Sequence, residues 1–139
     1  MNFKEIHVGN LIAQRVKESG IEMSRICNFI KSSEVEVLKM YEAQSLETEL
    51  LLRWSKLLEY DFFRIYSHHL ILYSPPSAKS ETIKPSSLPV FRKNIYTKEI
   101  IEFILEEIDE GKITKSEVID KYRIPKTTLY KWIEKYKRE

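Results

Sequence analysis

Thr114 and Glu117 stand three residues apart, Pro125 follows eight residues later, and that spacing leaves room for only two short helices around a tight turn. The Thr-x-x-Glu pair is a capping box, in which each partner satisfies an orphan backbone N–H at the start of a helix. Val118, Ile119 and Tyr122 give this first helix its apolar side. Arg123-Ile124 then interrupts the pattern, and Pro125 suits a first helical turn but not a helix interior. A second helix is therefore expected from about Pro125, with Leu129, Trp132 and Ile133 as its buried stripe at spacings of three and four. Lys126, Thr127, Thr128, Tyr130, Lys131 and Lys135 are left pointing outward.

A merely solvated face would mix charge signs. From Lys121 to Glu139 the chain instead holds seven Lys or Arg against two Glu, a local charge of +5. Phosphates are held by Lys, Arg and hydroxyls, and base edges are read from the start of a recognition helix. The residues so placed are Lys126, Thr127, Thr128 and Tyr130 for reading bases, and Lys131, Lys135, Lys137 and Arg138 for holding phosphates.

The stretch Tyr96-Thr97-Lys98-Glu99, then Ser116-Glu117-Val118-Ile119-Asp120-Lys121-Tyr122, then Ile124-Pro125-Lys126-Thr127-Thr128-Leu129-Tyr130-Lys131-Trp132, resembles the helix-turn-helix of insertion-sequence transposases. The resemblance covers about Arg92 to Lys137, and it implies binding to the ends of a mobile element. Two positions depart from the family pattern: Arg123 stands where Gly is usual, at a turn that often needs positive φ, and Ile119 where a small Ala is usual.

The formal net charge of 139 residues is only +2, so any argument for nucleic acid must rest on charge distribution. Met1 to Tyr73 carries nine basic and ten acidic residues, whereas Ser74 to Glu139 carries fourteen and eleven, which puts the positive field in the C-terminal half. A hydrophobic share of 42% suits a folded domain, and the chain shows neither a long apolar window nor a signal-peptide layout at its N-terminus. The lone Cys27 cannot form an intramolecular disulfide and reads as a small core residue; the expected compartment is the cytoplasm, with no membrane association.

Residues 74–94 contain Pro75, Pro76, Pro85 and Pro89 among Ser and Lys, a composition that breaks helices and buries little. They read as a flexible linker spanning on the order of 25 Å between two modules, 1–73 and 95–139. In the first module, helices are expected over about Val8 to Glu18, Met23 to Ile30, Glu34 to Glu42, Leu46 to Leu58 and Asp61 to His69, with Leu70-Ile-Leu-Tyr ambiguous. Ser33 and Glu36 repeat the capping box, and Ser45, Glu47 and Glu49 suggest another helix start. The expected fold class is all-α, with five helices, a linker and three helices.

Gly9 to Ile21, Ile26-Cys27, Ser33, Val37, Met40-Tyr41-Glu42, Ser45 to Thr48 and Leu57-Leu58 together resemble the lambda-repressor-like (Xre-type) domain. That resemblance implies a supporting helix at Met23 to Ile30 and a recognition helix at Glu34 to Tyr41. Its outward residues, however, would be Glu34, Val35, Glu36, Leu38 and Lys39, and two carboxylates facing phosphates raise the cost of approach. This module stays open between contacting DNA and serving as a dimerisation or protein-docking surface.

Nothing in the sequence points to catalysis, a metal or a cofactor. His68 and His69 are adjacent and diverge on a helix, and His7 lies far off. Glycine occurs only at Gly9, Gly20 and Gly111, too sparsely for a phosphate loop. Glu99, Glu102, Glu106, Glu107, Asp109 and Glu110 form the solvated face of one helix, and Trp54, Phe62, Phe63, Tyr66, Trp132 and Tyr136 fall at core spacings. The reading is a bipartite, sequence-specific binder of double-stranded DNA, with a separate catalytic transposase subunit as its partner. The rivals are an Xre-type transcriptional regulator and an interaction protein whose N-terminal domain forms a homodimer or docks another protein and whose basic tail binds DNA only weakly.

Overall fold

The computed structural model describes residues 1–74, 86–89 and 96–136. Among these, eight α-helices and no strands are formed: five N-terminal helices, then three C-terminal ones. Most of the stretch read as a linker, together with Lys137 and Arg138, lies outside the described residues. The chain forms two compact units, Met1–His69 and Leu70–Glu139. No helix of the described residues is long and apolar enough to cross a membrane.

The first unit is built from α1 (Val8–Ser19), α2 (Met23–Ile30), α3 (Glu34–Glu42), α4 (Thr48–Leu57) and most of α5 (Phe62–Tyr73). His7 caps α1 through Nδ1, which accepts from the Asn10 N–H at 3.2 Å, and Gly20 ends the helix in the left-handed conformation at φ 65°. The Ser33/Glu36 capping box forms in full, with the Ser33 N–H donating to Glu36 Oε2 at 2.8 Å. α1 packs on α3, and α2 packs on both α3 and α4. Val8, Ile12, Ile26, Ile30, Val37 and Trp54 form the centre of the core, each no more than 1% exposed. Cys27 is half-buried rather than enclosed.

One junction organises this unit. The Val8 and Gly9 N–H groups, orphan donors at the start of α1, donate to the carbonyls of Gln44 and Ala43 just past α3, both at 3.0 Å. Head-to-tail placement of two helix termini also sets the positive end of one dipole against the negative end of the other.

This junction corrects one expected boundary. α4 begins at Thr48, with Glu47 at the N-cap position but making no side-chain cap, rather than at Leu46, and Ser45 is not its cap. Ala43 is extended at φ −78°, ψ 129°, and its carbonyl and that of Gln44 are committed to α1, so the chain cannot turn helical immediately. The last helix of the set runs further than expected, through Tyr73. Leu70-Ile-Leu-Tyr continues the helical spacing of Phe62, Ile65 and His68, and Leu72 is buried at the next turn. His68 packs edge-on against Phe3, ring centroids 5.3 Å apart, while His69 Nδ1 lies 2.7 Å from the Phe3 carbonyl and donates to it.

Candidate nucleic-acid interface

The C-terminal unit contains α6 (Lys98–Asp109), α7 (Lys115–Tyr122) and α8 (Lys126–Lys135). Ile100, Ile101 and Ile104 bury the apolar side of α6, and Glu99, Glu106 and Asp109 lie exposed on it. Gly111, at φ 71°, turns the chain after α6, and Lys112 pairs with Glu110 at 2.6 Å.

The start of α7 follows the capping-box chemistry. The Thr114 N–H donates to Glu117 Oε2 at 2.7 Å, and the Glu117 N–H donates to Thr114 Oγ1 at 3.2 Å. Donation from the Thr114 backbone holds the Glu117 carboxyl below its ordinary pKa, so the cap keeps its charge. Val118 and Tyr122 are buried beneath α7.

Arg123 adopts the left-handed conformation, φ 53° and ψ 38°, which ordinarily favours glycine. A side chain there costs on the order of 1–2 kcal/mol. Ile124, 1% exposed, follows it into the core, and Pro125 then occupies the N-cap position of α8. Pro125 offers no side-chain acceptor, so it does not cap the first-turn N–H groups of Lys126, Thr127 and Thr128.

Leu129 and Trp132 are buried on α8, while Ile133 and Tyr136 are only half-buried; the edge of Tyr96 packs on Trp132 at 4.8 Å. Lys126, Thr127, Tyr130, Lys131 and Lys135 are exposed, and Thr128 is half-buried. Glu134 is exposed too, one turn beyond Tyr130 and Lys131, and it limits the basic part of the face to the N-terminal turns.

Sequence reasoning missed Lys115. It opens α7, yet its Nζ lies 5.6 Å from the centre of the Tyr130 ring on α8, and Lys126 Nζ lies 5.7 Å from the same ring. In sequence Lys115 stands apart from the basic run that starts at Lys121. From Lys112 to Tyr136 there are seven cations and three carboxylates, whereas Lys98 to Glu110 holds one Lys and six carboxylates. The near-neutral composition thus conceals a basic α7–α8 pair beside an acidic α6 in sequence.

In the first unit, the face resembling a recognition helix exposes Glu34, Val35, Glu36, Leu38 and Lys39, with Val35 63% and Leu38 49% exposed. Its chemistry is acidic and apolar. Glu36 is already engaged by the Ser33 N–H.

Tyr122 ties the stability of the C-terminal unit to alkaline pH. Burial first, then the Glu107 carboxylate and Tyr73, push its phenol up to about 12 from an ordinary value of 10.0. A raised folded-state pKa means that the stability held by the neutral phenol is complete below pH 10 and is lost as pH rises towards 12. Helix loss monitored by circular dichroism should therefore accompany late tyrosinate absorbance, and Tyr122→Phe should move that transition to higher pH. An unchanged alkaline transition in the variant would remove Tyr122 as its cause.

No family model, curated protein or solved structure matches the chain.

Proposed function

We propose that this chain is a non-catalytic, sequence-specific binder of double-stranded DNA, whose α7 and α8 act as a helix-turn-helix of the insertion-sequence transposase kind. The observation that carries the reading is the N-terminal half of α8, where exposed Lys126, Thr127, Tyr130 and Lys131 surround a helix start with no side-chain cap. Cations supply sequence-independent attraction to phosphates, and a hydroxyl in the first turn supplies a donor and acceptor for base edges. Strand cleavage and joining would then fall to a separate catalytic subunit, with this chain recognising the element ends.

The N-terminal unit, read as lambda-repressor-like, fits a protein-docking role better than a second DNA contact. Glu34 and Glu36 repel phosphates, and exposed Val35 and Leu38 offer apolar area in place of base-edge hydrogen bonds. An Xre-type regulator would need that face on DNA, which makes it the weaker alternative.

Two substitutions on α8 test the division between reading and holding. Thr127→Ala should relax preference at one base pair by about 1 kcal/mol, because a hydroxyl contact is lost. Lys135→Ala should weaken all sequences alike and lower the salt slope by about one counterion. Selection from a randomised duplex library, with affinity measured at several salt concentrations, separates the two. Uniform losses from both would mean that α8 does not read bases through its first turn.

A further inference from the structure

We infer that Tyr130 is a positioning residue, which gathers Lys115 from α7 and Lys126 from α8 into a clamp for one phosphate of the DNA backbone. This rests on the DNA-binding reading above and replaces the base-reading roles that the sequence assigns to Tyr130 and Lys126. Two ammonium groups from different helices lie 5.6 and 5.7 Å from the centre of a single ring. Both are attracted to the ring, which therefore carries two cations.

Cation–π attraction explains why each lysine approaches the ring, and two cations sharing one ring leave a local excess of positive charge that an anion neutralises. The ring is 45% exposed and both lysines are exposed, so an extended phosphate backbone can reach the cluster without rearrangement. Lys115 and Lys126 engage no carboxylate among the described residues within salt-bridge distance, unlike Lys98 and Lys112, which pair with Glu102 and Glu110. A clamp spanning α7 and α8 would fix how α8 sits on the duplex, because one phosphate is then held by both helices of the motif. Tyr130 takes part through its aromatic face, so the hydroxyl is dispensable and the ring is not.

The test uses the full chain and a randomised duplex pool, with affinity and salt slope measured for each variant. Tyr130→Phe should bind within about twofold of the parent, and Tyr130→Leu about fivefold more weakly at every sequence. Lys115→Ala should lower the salt slope, and Lys115→Ala with Lys126→Ala should lower it by about one counterion in total, as expected for a single shared phosphate. All four positions changed are solvent-facing, and circular dichroism melts confirm that each variant is folded before its affinity is read. A Tyr130→Leu variant that changes preference at one base pair, or a Lys115→Ala variant that leaves both affinity and slope unchanged while Lys131→Ala lowers them, overturns the clamp and leaves the DNA-binding reading standing. A parent chain that binds no duplex at low salt removes both.

Discussion

Replacing Gly9 by alanine is expected to unfold the N-terminal unit. A Cβ at this position would lie 2.4 Å from the Met40 carbonyl oxygen and 2.5 Å from those of Tyr41 and Ala43. None of these is the end of a flexible side chain; all three are backbone atoms at the end of α3, and relief requires α1 to move away from it. Movement would pull apart the bonds from Val8 to Gln44 and from Gly9 to Ala43. Overpacking together with lost hydrogen bonds costs about 3–5 kcal/mol, comparable to the whole stability of a unit this size. Gly20→Ala is the matched comparison: it meets no atom within 4 Å and pays only for its φ of 65°, a cost on the order of 1 kcal/mol. The two tryptophans fall one to each unit, so Trp54 fluorescence in a Trp132→Phe background reports on this unit alone. A Gly9→Ala unfolding midpoint equal to that of the parent would show that α1 and α3 do not meet in this way.

In the C-terminal unit the largest effect is expected from Leu129→Ala. Leu129 is 0% exposed, and truncating such a side chain costs about 2–5 kcal/mol through lost burial and the cavity left behind. α8 has only ten residues, too few to persist as a free helix in water, so its shape depends on this packing. DNA binding should disappear together with the fold. Trp132 fluorescence in a Trp54→Phe background, read alongside duplex affinity, checks that the two losses coincide. Binding that survived with Trp132 exposed would locate the DNA contact somewhere other than a folded α8.

Features set within a few residues were legible in the sequence. Both capping boxes, Ser33 with Glu36 and Thr114 with Glu117, are four-residue signals, and α2 and α3 begin and end where their punctuation puts them. The turn at Arg123 was legible as a position demanding positive φ, and the chain meets that demand without glycine. What escaped was long-range. The start of α4 depends on carbonyls reserved for α1 some thirty-five residues earlier, and Gly9 carries no local mark of its close approach to α3. Lys115 carries no local mark in the sequence, because its nearness to Tyr130 follows from how α7 packs on α8. The extension of α5 through Tyr73 was ambiguous for another reason, since four consecutive apolar residues have no period of their own.

DNA contact through α7 and α8 is read directly from a map of backbone amide shifts over the full chain during titration with a random-sequence duplex at low salt. With the DNA contact on α7 and α8, the changes concentrate at Lys115, Ser116 and Lys126 to Lys131, α3 from Glu34 to Glu42 stays unperturbed, and added salt reverses them. Shifts confined to α1–α5, or none at all at low salt, would contradict it.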